Sequence, residues 1–210
     1  MGKHTVQASV KDEKLVAVRR AQMVKGAVNL FKEKGFHRTT TREIARAAGF
    51  SIGTLYEYIR TKDDVLYLVC DSIYENVKER LDQEALNTEK GSLESLTAAV
   101  ASYFKVMNEF QEEVLILYQE MRSLPSESIK YILGKEMEMV AMFETILQKC
   151  VENGEFLLTK REIDGIAHNI FVQGQMWGFR RWAMQKLYTI EEYTDLQLRY
   201  LLNGVRMRDI

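Results

Sequence analysis

An all-α chain is predicted by three observations. The 210 residues contain a single proline, Pro125. Alternating β-branched runs are scarce, while apolar residues return at helical spacing. Capping boxes, in which a threonine is followed three residues later by glutamate, punctuate the chain at Thr40/Glu43, Thr159/Glu162 and Thr189/Glu192. Together they predict about nine helices and no strand.

Taken in order, residues 1–12 lack apolar periodicity and are expected to form a flexible arm. From Leu15 the apolar positions Leu15, Val18, Met23, Ala27, Leu30 and Phe31 fall on roughly one helical face, which Gly35 ends. Thr40 opens a second helix that Gly49 closes. Ser51 is a natural N-cap for a short third helix carrying Leu55 and Ile59 inward. Thr61 with Asp64 starts a long helix over 61–86, acidic in its first turn, with Gly91 and Ser92 beyond it. Helical stretches follow at 93–110 and 111–123, up to the "SLPSES" stop. Next come 127–152, closed by "ENGEF", then 160–187 and 191–206. The expected organisation is an arm at 1–12, a small helical domain at 13–60, and a larger helical domain at 61–210. Helix 61–86 links the last two.

Charge divides the chain along the same line. Residues 1–62 carry 13 Lys and Arg against 5 Asp and Glu, a net +8. Residues 63–210 carry 16 against 25, a net −9. A basic head on an acidic body suits a polyanion partner for the head. No apolar run is long enough to span a bilayer, and no signal peptide is apparent, so a cytoplasmic protein is expected. Cys70 and Cys150 lack a CxxC partner and fit a reduced compartment. His4, His37 and His168 lie far apart without metal-ligand spacing, and no P-loop, GxGxxG or GxSxG occurs. No cofactor, metal or catalytic residue is therefore expected. The rival readings are a helical enzyme and a redox-sensing regulator using Cys70 and Cys150.

Residues 40–59 have helix-turn-helix logic. Ile44, Ala45 and Ala48 line one face of the first short helix, Gly49 permits a tight corner, and Leu55 and Ile59 seat the second. A second helix of this kind enters the major groove by its N-terminal end. Ser51, Ile52, Gly53 and Thr54 would lead. Gly53 costs the helix roughly 1 kcal/mol relative to alanine, a cost that close approach to DNA would offset. Tyr56 and Tyr58 are expected to reach phosphates or thymine methyls, Lys62 a phosphate, and Thr39, Thr40 and Arg42 the backbone from the first helix.

The run "GFHRTTTREIARAAGFSIGTLYEYIRTKDDVLYLV" resembles the DNA-binding domain of the tetracycline-repressor (TetR) family of bacterial transcription regulators. The matching positions are Gly35-Phe36, Thr39-Thr40, Ile44-Ala45, Ala48-Gly49, Ser51, Gly53, Leu55-Tyr56 and Lys62. The chain departs from the family pattern at Ile59, where phenylalanine is usual, and at Phe50, where a small aliphatic is usual. The resemblance implies a homodimer on a palindromic operator in double-stranded DNA, with repression the commoner mode. It also implies an inducer pocket in the divergent body, filled in some relatives by fatty acyl-CoA and in others by drugs, steroids or aromatics.

Two features of the body fit those expectations. On 160–187 and 191–206, Ile170, Trp182, Leu196 and Tyr200 lie on apolar faces, and Gly174 and Gly178 thin the first helix. Two such helices per subunit would form a four-helix dimer interface. The alternative is that these faces pack within one subunit. The middle helices are rich in methionine and aromatics. Tyr103, Phe104, Met107, Tyr118, Met121, Met142, Phe143 and Trp177, with Arg122, His168, Asn169 and Gln173 as polar groups, are the candidate lining of a pocket for a small apolar effector. Singly, each apolar member reads more readily as ordinary core.

Overall fold

The computed structural model describes residues 6–85 and 92–206. Among these there are ten α-helices and no strand: α1 Glu13–Arg38, α2 Thr41–Ala47, α3 Ile52–Tyr58, α4 Lys62–Ala85, α5 Leu93–Glu109, α6 Gln111–Glu120, α7 Ser126–Glu152, α8 Lys160–Phe179, α9 Arg181–Leu187 and α10 Ile190–Arg206. A single 3-10 turn, Met121–Ser123, follows α6. No described helix is long and apolar enough to cross a membrane. The expected helix over 160–187 is two: Arg180 leaves helical geometry (φ −108°, ψ 21°) and separates α8 from α9. Gly91, expected to help end the long helix, lies outside the described residues.

The chain divides into two compact units. One, the head, takes in residues up to Glu75 together with Glu112–Lys135; the other, the body, takes in Asn76–Gln111 and residues from Glu136 onward. These units do not follow a division at residue 60/61, because the first part of α4, nearly all of α6, the 3-10 turn and the start of α7 group with the head.

In the head, the starts of α1 to α4 are capped by nearby side chains, and the regular course of α1 and of α2 ends in a glycine turn. Asp12 caps α1 by accepting from the amides of Lys14 (3.0 Å) and Leu15 (3.1 Å). At Gly35 the backbone turns left-handed (φ 77°), so α1 stops its regular course there and Phe36 folds into the core. Thr40 and Glu43 form the expected capping box on α2. The corner after α2 also forms as expected: Gly49 has φ 76°, and the Phe50 amide donates to the Ala45 carbonyl at 2.8 Å. Ser51 caps α3 through the Thr54 amide at 3.0 Å. Asp64 caps α4 by accepting from the Arg60 (2.8 Å) and Thr61 (3.0 Å) amides. The inward faces meet over Met23, Ala27, Phe31, Ile44, Ala45, Leu55 and Ile59, all buried.

Residues 6–12, expected to be a flexible arm, are instead held against the head. Val6 is buried, its carbonyl accepts from Arg20 at 2.7 Å, and the Ser9 amide donates to the Glu57 carbonyl at 2.8 Å. The segment supplies polar partners that a seven-residue helix cannot supply for itself.

In the body, α5 packs on α8 and α10. A ring cluster fills the contact. Tyr103 stacks on Phe171 (centroids 5.8 Å, 14°) and lies edge-on to Phe143 (5.4 Å), while Tyr193 lies between Phe104 (5.6 Å) and Trp177 (5.2 Å). The polar atoms of these rings are paired: Tyr103 donates to the Phe171 carbonyl (2.9 Å), Tyr193 to the Gln173 carbonyl (2.9 Å) and Trp177 to Asn108 (2.7 Å).

Candidate nucleic-acid interface

The surface that a nucleic acid would meet is built from the start of α2 and the leading end of α3. Ser51, Ile52, Gly53 and Tyr56 are exposed, Thr54 is half-buried, and Thr40 and Arg42 are exposed at the start of α2. The Tyr56 hydroxyl lies 3.2 Å from the Thr41 hydroxyl, so the two helices share one polar surface. Ser51 and Thr54 hydroxyls sit 2.9 Å apart at the tip. Glu43 binds Lys34 at 2.5 Å and accepts from the Thr40 amide and hydroxyl. Lys34 first, then Thr40, hold its carboxyl down at about 2, so the capping box keeps its charge across the physiological range.

Gly53 has a telling environment. A Cβ built there would meet only the Ser51 hydroxyl oxygen, at 3.7 Å. Nothing inside the protein demands glycine at this position. The open side is the outward one.

Three of the expected DNA contacts are occupied elsewhere. Tyr58 is buried, its ring 6.5 Å from that of Phe50; the three-residue step from Leu55 places it on the inner face. Thr39 is buried, with its hydroxyl donating to the Gly35 carbonyl at 2.9 Å. Lys62 spreads its ammonium over the carbonyls of Phe36 (3.0 Å), His37 (3.3 Å) and Thr39 (3.1 Å) and over the Phe36 ring (4.2 Å). It closes the carbonyl-rich end of α1, where a cation is favoured, and its three donors are spent there.

The structure also brings in residues that the sequence reading passed over. Gly26 lies where α1 crosses α2: a Cβ there would come within 3.1 Å of the Ala47 methyl and 3.2 Å of the Ala48 amide. A small pair, Gly26-Ala27, in mid-helix was its signal. Arg20 sits on the stripe of Val16, Met23 and Ala27, and an arginine at such a position signals a buried polar task. Thr41 had no distinguishing signal.

The candidate effector residues of the body do not assemble as expected. Tyr103, Phe104, Met107, Phe143 and Trp177 are buried in the close-packed ring cluster and its surroundings. Tyr118, Met121 and Arg122 belong to the head unit, with Tyr118 largely exposed. Met142 is half-buried and His168 is exposed. Asn169 and Gln173 do line a groove of about 440 Å³, together with Leu158, Glu162, Gly165, Ile166, Tyr200, Leu201 and Gly204 on α8, α10 and the loop before α8. Both expected interface glycines are buried within the subunit. A Cβ on Gly174 would fall 2.3 Å from Tyr103 Cε1, whereas one on Gly178 would make ordinary contact with Gln111 at 3.5 Å. Ile170 is buried as well, whereas Trp182 and Tyr200 are exposed and Leu196 is half-buried. Both thiols are buried, and burial pushes Cys70 up to about 12 and Cys150 up to about 11, which disfavours a thiolate-based redox role.

Comparison with known proteins matches this architecture in both halves. Residues 23–67 match the family model for bacterial regulatory proteins of the tetR family, and residues 89–177 match that for a tetracyclin repressor-like C-terminal domain. The chain is 28% identical over 204 residues to the HTH-type transcriptional regulator HbdR of Aromatoleum sp. (strain CIB), covering 94% of this chain and 85% of that protein. It is 26% identical over 167 residues to the HTH-type transcriptional repressor KstR2 of Mycolicibacterium smegmatis, covering 79% and 80% of the two. The crystal structure of AibR in complex with isovaleryl coenzyme A and operator DNA has the same fold, with a TM-score of 0.68 at 18% identity over 86% of this chain and 96% of that one.

Proposed function

We propose that this chain, which belongs to the tetR family of bacterial regulatory proteins, is a homodimeric repressor that leaves a palindromic operator when a small apolar effector binds its body. The chain is a DNA-binding transcriptional regulator rather than an enzyme. The observation that carries the operator reading is the leading end of α3: an exposed Gly53 that no internal contact requires, flanked by Ser51, Ile52, Thr54 and Tyr56. That end would enter the major groove, with Thr40 and Arg42 fixing the backbone beside it.

Dimerisation is supported by the outer face of α8 and α10. Val172 and Tyr200 are about half to two-thirds exposed (49% and 63%), and the groove lined by Ile166 and Leu201 lies on the same two helices. Two copies would set their α3 helices about 34 Å apart, one turn of DNA, or a multiple of it. A CoA thioester with a hydrophobic acyl chain is the favoured effector class, by analogy with the AibR complex. The main chain passes between head and body within α4, at Glu75/Asn76, and again at Gln111/Glu112 and Lys135/Glu136. Effector binding in the body would act through these segments, and a coupling of about 1–3 kcal/mol would weaken operator binding 5- to 150-fold.

The test is a titration of duplex DNA from the region upstream of the protein's own coding sequence, at several salt concentrations, with and without acyl-CoA thioesters of increasing chain length. Salt-sensitive binding that one thioester class weakens supports the reading. A thioester that binds tightly and leaves DNA affinity unchanged is not the effector.

A further inference from the structure

Seven residues make α3 a helix of two turns, too short to hold its own shape. Its trailing carbonyls need partners from elsewhere. The Glu57 carbonyl accepts from the Ser9 amide (2.8 Å) and the Ser9 hydroxyl (3.1 Å). The Tyr58 carbonyl accepts from Arg20 Nε (3.2 Å) and Nη2 (3.0 Å), and the same Nη2 donates to the Val6 carbonyl (2.7 Å). Val6 is an apolar plug, 6% exposed. One guanidinium on α1 thus ties the end of α3 to the segment that precedes α1. Its positive charge sits at a helix C-terminus, where the dipole favours it.

We propose that residues 6–9 and Arg20 form a clasp on the trailing end of α3 that sets the angle at which its leading end meets operator bases. Arg20 and Ser9 are positioning residues: they act on DNA through α3 and touch no phosphate. The proposal rests on the operator reading above. Phosphate contacts from other side chains give affinity that is indifferent to sequence, whereas base contacts at Ile52–Thr54 depend on the angle of α3. Loosening the clasp therefore costs specificity more than it costs binding.

The experiment compares wild type with Arg20→Gln, Arg20→Lys and Val6→Ser in two measurements on the full chain. Hydrogen exchange on the free protein reads the amides of residues 55–59. Anisotropy titrations read the upstream duplex and a scrambled duplex over a range of salt. Arg20→Gln is expected to speed exchange in those amides and to weaken operator binding about tenfold. Scrambled-duplex affinity and the salt slope stay as in wild type. Arg20→Lys recovers part of the loss, since an ammonium lacks the fork that reaches both carbonyls. Val6→Ser loosens the strap without altering charge and gives the same pattern more weakly. Unchanged exchange in Arg20→Gln overturns the clasp itself, whatever happens with DNA. A salt slope reduced by about one overturns it in favour of a direct phosphate contact. Faster exchange with operator affinity retained reduces it to a device of stability only. If wild type binds neither duplex, the operator reading fails, while the exchange measurement still decides whether the clasp exists.

Discussion

The head and the body use aromatic residues in opposite ways. On α3, Tyr56 turns its ring outward and its hydroxyl to Thr41, while Tyr58, two residues on, is buried beside Phe50. In the body, Tyr103, Phe104, Phe143, Phe171, Trp177 and Tyr193 all turn inward and lock together. The head keeps its chemistry on short capped helices whose meaning is local. The body spends the same residue types on packing, and its surface chemistry is left to the outer faces of α8 and α10. A methionine- and aromatic-rich stretch thus says little about a pocket until its neighbours are known, because close packing consumes such side chains first.

The largest effect that would break this contrast is in the body. Phe104→Ala removes a fully buried ring and should cost about 3–5 kcal/mol of stability, read by chemical denaturation. A small cost would mean that Phe104 borders an open cavity after all. Gly174→Ala comes next. In an ordinary helix this change gains up to about 1 kcal/mol, but here the new methyl meets Tyr103 at 2.3 Å. A net loss of about 1–3 kcal/mol is expected, partly relieved when Tyr103→Leu is made alongside it. A gain would restore the reading of Gly174 as a surface for a second subunit. In the head, Lys62→Met removes the donor that closes α1. It should cost about 1–3 kcal/mol of stability and leave the salt slope of DNA binding unchanged; a slope lower by about one would return Lys62 to the phosphates. The smallest effect separates the two tyrosines. Tyr56→Phe should weaken operator binding by about 0.5–1.5 kcal/mol, and Tyr58→Phe should leave it unaltered.

The sequence was most legible where a single residue decides a local geometry. Gly49 is left-handed, Thr40 and Glu43 close a capping box, and Ser51 caps α3, each as its residue type predicts. Legibility failed where the face of a helix had to be known. Tyr58 and Lys62 read as DNA contacts by residue type, but one lies three residues from Leu55 on a two-turn helix and the other reaches the end of α1, 26 positions earlier in the chain. The segment from Glu112 to Lys135 shows the same limit on a larger scale. Nothing in its composition separates it from the body, yet Glu113 pairs with Lys32 at 2.8 Å, Glu120 accepts from the Phe36 amide at 3.1 Å and Ser123 meets His37 at 3.1 Å. Such long-range pairings carry no local periodicity to read.

The operator reading proposed above places the leading end of α3 in the major groove. Gly53→Ala is the decisive variant, because a Cβ at that position meets only the Ser51 hydroxyl oxygen, at 3.7 Å. Operator affinity of this variant, measured beside wild type by anisotropy with thermal melting as the control, should fall at least about tenfold with the melting transition essentially in place. Full operator affinity in a normally folded Gly53→Ala protein would mean that α3 does not meet DNA by this end.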